Sequence, residues 1–227
     1  MRFSLVLPAA GSGTRLDMGR PKALVDVGGV ALARRTLERF SAMSELEEAL
    51  IVAPPGSVEE LRGALEGLIW DTGEIRVVAG GETRQDSVRV ALDAFSSTPE
   101  IVCVHDAARP LVSTATIEQV VRAAESHGAS TAASRPTDSV RLEDEAGGSI
   151  PLNRDRVWLV QTPQAFRFDL LFKAHQHAKA TAITATDDAA LVETCCQVSP
   201  EIVLSDGLNL KITRAEDLQM VRLLIGD

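Results

Sequence analysis

Phe3-Ser4-Leu5-Val6-Leu7-Pro8-Ala9-Ala10-Gly11-Ser12-Gly13-Thr14-Arg15-Leu16-Asp17-Met18-Gly19-Arg20-Pro21-Lys22 begins as a short apolar run and breaks into a turn of small residues. A run of that length suits a strand buried on both faces, and amphipathic spacing resumes only near Val30, so the turn sits at the edge of a strand. Gly11 and Gly13 let backbone N–H groups approach phosphate oxygens with no Cβ in the way, while Arg15 and Lys22 add charge-assisted hydrogen bonds to a polyanion. The stretch reads as a grip for a triphosphate. A dinucleotide fingerprint would need a third glycine where Leu16 stands, and a Walker A loop would need Gly-Lys-Ser/Thr after four spacers; neither spelling is present. A surface turn of the same composition is the alternative reading of this stretch alone.

Outward from it, strand-like runs alternate with helical patterns: residues 50–53 then 57–68, 76–79 then 83–95, 101–105 then 113–127, and 129–133. This βαβ rhythm predicts an α/β fold with a mainly parallel mixed sheet flanked by helices. Ser57 with Glu60, and Thr213 with Glu216, spell capping boxes, and a last helix is expected from Arg214 to Ile225. Such sheets bind ligands at the carboxyl ends of their strands, where the loops after the first, third and fourth strands would lie together. From residue 136 to 160 the pattern changes to two alternating runs around an acidic Gly-Gly tip at 143–148, which predicts a β-arm projecting from the sheet. An arm unable to bury both faces by itself would gain from packing on a second subunit. One domain is expected over 1–227, with 136–160 as its arm.

The 227 residues can bury one good core, and the 45% hydrophobic and 24% charged fractions are those of an ordinary globule. No apolar stretch approaches a membrane span, and the first apolar run lacks a secretory signal pattern, so a cytoplasmic protein without a membrane partner is expected. Three cysteines, Cys103, Cys195 and Cys196, without metal-ligand spacing, fit reduced thiols that pack. A net charge of −9 argues against a sequence-independent nucleic-acid surface, and no nucleic-acid partner is expected. It leaves open a local cationic pocket, since a site is set by its own residues. Of only four lysines, two, Lys22 and Lys211, fall inside chemistry-bearing motifs.

Three later motifs share the predicted ligand edge. In Gly80-Gly81-Glu82-Thr83-Arg84-Gln85-Asp86-Ser87-Val88 the glycines permit close backbone approach and Ser87 offers a hydroxyl to a ligand edge; a plain strand-to-helix turn is the alternative. In Val104-His105-Asp106-Ala107-Ala108-Arg109-Pro110, Asp106 is a hard oxygen ligand suited to Mg²⁺ or another divalent cation beside phosphates, directly or through water. Arg109 could instead pair with a carboxylate to fix the loop, and His105 reads as a structural histidine. Asn209-Leu210-Lys211-Ile212-Thr213 delivers a lysine among apolar neighbours, suited to balance phosphate or to make a salt bridge. A threonine of Thr184-Ala185-Thr186-Asp187-Asp188 could cap the helix that follows.

Together with Thr162-Pro163-Gln164, these ordered motifs resemble the 2-C-methyl-D-erythritol 4-phosphate cytidylyltransferases of the non-mevalonate isoprenoid pathway, from residue 5 to about residue 218. The resemblance implies a Rossmann-like nucleotidyltransferase fold and attack of the acceptor phosphate on the α-phosphorus of CTP, with pyrophosphate leaving. It implies that Arg15, Lys22 and Lys211 neutralise phosphates and transition state. Ala9, Ala10, Gly11, Gly13, Gly81, Glu82, Ser87 and Asp106 would bind CTP, with Asp106 supporting the magnesium-bound triphosphate. Asp106, Arg109, Ser139, Arg154 and Thr186 would bind the sugar-alcohol phosphate, Ser139 and Arg154 reaching across a homodimer interface made by the arm.

The family usually has threonine at Ser139, Thr-Val-Asp where Pro151-Leu152-Asn153 stands, and Gln-Tyr-Leu after the lysine where Ala23-Leu24 follows Lys22. The first two departures lie in the arm, on the acceptor side. Some relatives carry a fused cyclodiphosphate synthase domain with an Asp-x-His zinc motif, absent here, so the transferase activity alone is implied. A cytidylyltransferase acting on D-ribitol 5-phosphate shares the donor motifs and is the alternative enzyme. A CTP-binding regulatory module is the alternative without catalysis, although it could dispense with Arg15, Lys22, Asp106 and Lys211, all present.

Overall fold

The computed structural model describes residues 2–10, 20–68, 70, 73–206 and 208–226. Its strands are β1 (Phe3–Pro8), β2 (Leu46–Ala53), β3 (Glu74–Ala79), β4 (Ile101–Val104), β5 (Ala129–Ser134), β6 (Val140–Glu143), β7 (Ser149–Leu152), β8 (Leu159–Arg167) and β9 (Glu201–Leu204). Its helices are α1 (Leu32–Leu37), α2 (Val58–Ala64), α3 (Arg84–Ala94), α4 (Thr114–His127), α5 (Phe168–Thr181), α6 (Asp188–Cys196) and α7 (Ala215–Ile225). A seven-stranded sheet runs in the order β3-β2-β1-β4-β8-β5-β9. All its pairings are parallel except those of β8, which is antiparallel to both β4 and β5.

Alternate residues of the central strands feed two cores. Leu5 and Leu7 of β1, Ile51 of β2 and Cys103 of β4 pack with Leu37, Leu61, Ile117 and Val120 on one face. Val6, Leu50, Val52, Val102 and Val104 pack with Val88, Leu92, Leu171 and Leu191 on the other. Burial on both faces is why these strands read as unbroken apolar runs. Burial pushes the Cys103 thiol up, while Cys195 and Cys196 pack against the second core, as the packing reading of the cysteines expects. A third cluster joins Val25, Val27 and Leu32 to Ile212, Leu218 and Val221, and so brings the segments holding Lys22 and Lys211 together.

Several expectations need correction. Ser57 makes no side-chain cap: its backbone, at φ −114° and ψ 11°, is outside the extended conformation that aims a capping hydroxyl. The helix after it ends at Ala64, well short of residue 68, as the chain turns toward Gly67 at φ +71°. At the last helix the box moves one residue along, and Asp217, not Glu216, reaches back. Its Oδ2 accepts from the amides of Thr213 (2.7 Å) and Arg214 (2.9 Å) and from the Thr213 hydroxyl (2.7 Å).

The arm is narrower than the 136–160 span. Its ladder pairs Val140 with Leu152 through Glu143 with Ser149, whereas Leu159 and Val160 already pair with Ser134 and Ala133 in the main sheet. A 3-10 turn over Arg154–Arg156, capped by Asn153 whose Oδ1 accepts from the Asp155 amide (3.0 Å), separates the arm from the main sheet; the turn signal of Asn153 and Asp155 marks the boundary that the 136–160 span overran. Asp144 closes the acidic tip by accepting from the amides of Ala146 (3.0 Å) and Gly148 (2.8 Å). No helix among the described residues is long and apolar enough to cross a membrane.

Candidate active site

Past the strand ends, backbone hydrogen bonds carry the ladder into the first residues of the ligand-side loops. The Ala9 amide donates to Val52 O (2.8 Å), Gly80 to Ala53 O (2.8 Å) and His105 to Val6 O (3.0 Å). The first residues after β1, β3 and β4 therefore lie along one edge of the sheet, where the chain leaves β1 toward β2 on one side and β4 continues the sheet on the other. A crevice opens at such a reversal of strand order.

Asp106 is the hub of this edge. Buried to 7% exposure, it takes Arg84 Nε on Oδ1 (3.2 Å) and Lys211 Nζ on Oδ2 (2.7 Å), with Arg109 Nε 3.9 Å from Oδ2. Burial alone would raise its pKa; the charges of Arg84, then Lys211 and Arg109, outweigh that and hold the carboxyl far below the usual carboxylate range. Lys22 lies in a 3-10 turn over Lys22–Leu24, and its ammonium donates to the Ile212 carbonyl beside Lys211. Ile212 N in turn donates to Ala108 O (2.9 Å), tying the Lys211 segment to the Asp106 loop. Lys22, Arg84, Arg109 and Lys211 outnumber the carboxylates of Asp106 and Asp188, a cationic cluster in a chain of charge −9.

The loop carrying Asp106 is held from beneath. The Asp106 amide donates to Thr162 Oγ1 (3.0 Å), which lies 3.2 Å from His105 Nδ1, and His105 Nε2 lies 3.1 Å from the Arg109 carbonyl. A carbonyl only accepts, so Nε2 carries the proton and Nδ1 accepts from the Thr162 hydroxyl. Burial pulls the His105 pKa down to about 4, and the ring is the structural histidine expected. Arg109 donates to Asn209 O (2.7 Å), and Asn209 Nδ2 donates to Thr162 O (2.7 Å). Arg109 thus fixes the loop chiefly through a carbonyl, more than by pairing with a carboxylate.

Lys22, Lys211, Asp106 and Arg109 converge as the motifs imply. Ala9 and Ala10 extend β1 into the same edge. A Cβ on Gly81 would stand 2.4 Å from Asp86 Cβ, and one on Gly80 would stand 2.7 Å from Ser87 Oγ, so the paired glycines are demanded by the tight turn into α3. Ser87 is fully buried and its hydroxyl donates to Thr83 O (2.9 Å), leaving only its lone pairs for a ligand. Glu82 is exposed at the same turn.

Thr186 is exposed and does not cap α6. Asp187 does, its Oδ1 accepting from Ala190 N (2.8 Å), because a carboxylate one residue on reaches the first helical amides better. Ser139 and Arg154 sit exposed on the arm, Arg154 donating to Thr137 O (2.7 Å); within the chain neither bonds to the Asp106 cluster. Gly11, Gly13 and Arg15 lie outside the described residues.

Sequence reasoning assigned no role to Arg84, Asp188 or His175. Arg84 also donates through Nη1 to Asp188 Oδ2 (2.7 Å), and His175 Nε2 meets Asp188 Oδ1 at 3.0 Å. Arg84 and Asp188 each stood within a quoted motif, a usable signal; His175 stood in ordinary helical sequence.

Comparison with known proteins agrees with this geometry. The family model described as IspD, 2-C-methyl-D-erythritol 4-phosphate cytidylyltransferase, matches residues 3–227. A 2-C-methyl-D-erythritol 4-phosphate cytidylyltransferase from Pelotomaculum thermopropionicum is 36% identical over 99% of this chain and 94% of its own length. One from Symbiobacterium thermophilum is 38% identical over 99% and 93%. The crystal structure of 4-diphosphocytidyl-2C-methyl-D-erythritol synthase from Anaerococcus prevotii superposes with a TM-score of 0.88 at 29% identity, covering 100% of this chain and 96% of that one. With a motif set, a sheet order and near end-to-end relatives all in agreement, the chain belongs to the 2-C-methyl-D-erythritol 4-phosphate cytidylyltransferase family.

Proposed function

We infer that the protein is a nucleotidyltransferase that joins CTP and 2-C-methyl-D-erythritol 4-phosphate, giving 4-diphosphocytidyl-2-C-methyl-D-erythritol and pyrophosphate. The observation that carries this reading is the cationic cluster centred on Asp106 at the reversal of strand order, in a chain of this family. An oxygen of the acceptor phosphate forms a bond to the α-phosphorus of CTP, and the bond from that phosphorus to the bridging oxygen breaks, the electron pair leaving with pyrophosphate. The nucleophile arrives already ionised, so the protein supplies positioning and charge stabilisation.

Lys22, Lys211 and Arg15 neutralise the phosphates as charge builds. Ala9, Ala10, Gly81, Glu82 and Ser87 border the cytidine, and Arg109 and Thr186 the acceptor phosphate, with Ser139 and Arg154 brought by the arm of a second copy. Leu142 and Ile150, 54% and 51% exposed on the arm, support such a homodimer. The Asp106 carboxylate stays ionised and keeps lone pairs beyond those taken by Arg84 and Lys211, which fits Mg²⁺ or another divalent cation whose remaining ligands are phosphate and water. Bound there, the cation would draw charge from the triphosphate oxygens. The reaction fits a cytoplasmic enzyme.

The test is pyrophosphate release with CTP and Mg²⁺ on 2-C-methyl-D-erythritol 4-phosphate and, in parallel, on D-ribitol 5-phosphate. Release with the first acceptor alone is expected. Release with ribitol phosphate alone would replace the acceptor, and CTP binding without turnover on either would leave a regulatory module. Lys22→Ala should lower kcat by about 100-fold or more through lost charge stabilisation; unchanged turnover would remove Lys22 from the mechanism.

A further inference from the structure

We propose that Arg84 is a positioning residue for Asp106, aimed from behind by Asp188 and His175. Three helices supply the chain of contacts: Arg84 is the first residue of α3, Asp188 the first of α6, and His175 lies within α5. Arg84 spans two carboxylates, Nη1 on Asp188 Oδ2 at 2.7 Å and Nε on Asp106 Oδ1 at 3.2 Å. The shorter contact is to the deeper group: Asp188 is 1% exposed, and its other oxygen meets His175, also 1% exposed, at 3.0 Å. A carboxylate buried so far from solvent is costly unless its partners are held in place.

The anchor is itself fixed. Asp187 Oδ2 accepts from Gln164 Nε2 of β8 (3.0 Å), and Gln164 Oε1 accepts from the Ala189 amide (3.0 Å), which locks the start of α6 to the sheet. Gln85, next to Arg84, donates to Ile183 O (3.0 Å) and accepts from the Ala185 amide (3.1 Å), holding the approach to α6 against α3.

The consequence is geometric. With one edge of the guanidinium held by Asp188, the Nε–H points at Asp106 Oδ1, and Oδ2 is left for Lys211. A planar fork does this; a lysine ammonium, one point charge, cannot bridge two carboxylates in fixed directions. Arg84 therefore sets the rotation of the Asp106 carboxylate, and with it where Lys211 stands.

The proposal rests on the reading of Asp106 as part of the reaction centre, so its test has one arm that needs turnover and one that does not. In kinetics, Arg84→Ala should lower kcat by about 100-fold, the scale of a mispositioned catalytic group. Asp188→Asn should lower it less, with KM for CTP less affected than kcat. Arg84→Lys should fail to restore turnover, and His175→Gln, whose amide can still donate to Asp188, should retain most of it. Lowered Tm with kcat of the folded enzyme unchanged across the set would mean a structural role and overturn the proposal.

In ¹H–¹⁵N spectra, the Arg84 Nε–H of the wild type should be resolved and slow to exchange. Asp188→Asn should move it together with the Asp106 backbone amide. An unmoved Asp106 amide overturns the proposal whether or not the wild type turns over, whereas a wild type silent on both acceptors overturns the reading of the reaction and leaves this arm to decide the positioning. Should Arg84→Ala fail to fold, Asp188→Asn and His175→Gln carry both arms.

Discussion

Asp188 carries its charge at a depth where burial pushes the carboxyl pKa up, yet Arg84 first, and then the hydrogen bond from His175, bring it down from 3.8 to about 2. A carboxyl with a depressed folded pKa contributes stability that is complete above its unfolded value and is lost as acid carries the pH down through the folded one. The wild type should therefore lose stability between pH 3.8 and about 2 through this group. Asp188→Asn, already weakened at neutral pH, should show a flatter acid limb. Urea midpoints measured against pH decide it, and parallel curves for the two proteins would refute it. At the same scale, Gly81→Ala must place a Cβ 2.4 Å from Asp86 Cβ. It should cost about 1–3 kcal/mol by overpacking, read as a lowered urea midpoint.

Elements act by delivering residues, and α3 is the clearest case. Thr83 caps it, accepting from the Asp86 amide (3.0 Å), and the cap sets the first helical residue, Arg84, at the ligand edge. Thr83→Ala should lower stability by about 1 kcal/mol, measurable by thermal melting. It should also lower turnover, since fraying begins at Arg84; a variant that loses stability with turnover intact would separate the cap from the site. The start of this helix was legible because two glycines and a threonine precede it. The start of α2 was not, since Ser57 has the right spelling with a backbone aimed elsewhere. A cap is a conformation, and residue identity supplies only its possibility.

At the scale of the whole molecule, the arm leaves apolar side chains unmatched on a two-stranded ribbon. Among the described residues β6 and β7 pair only with each other, and Leu142, Ile150 and Leu152 remain 54%, 51% and 37% exposed. A two-stranded ribbon is marginal by itself, which agrees with a second copy covering it. The pair Leu142→Glu and Ile150→Glu should give a monomer by light scattering, with KM for the acceptor raised more than KM for CTP. A dimer that survives both substitutions would move the interface off the arm.

Local chemistry is what the sequence by itself determined. The apolar run 3–7 marked the first strand, the order of motifs placed Lys22, Asp106, Arg109 and Lys211 on ligand-side loops, and the alternation around a Gly-Gly tip announced the arm. Each is a short-range property of the chain: periodicity, backbone freedom, charge in a turn. Tertiary structure alone decided that β8 enters antiparallel between β4 and β5, that the arm ends before Leu159, and that Arg84 joins Asp106 to Asp188. These depend on partners tens of residues to more than a hundred residues apart. The burial that makes such partners necessary exists only once the sheet and its two helical layers have closed over them.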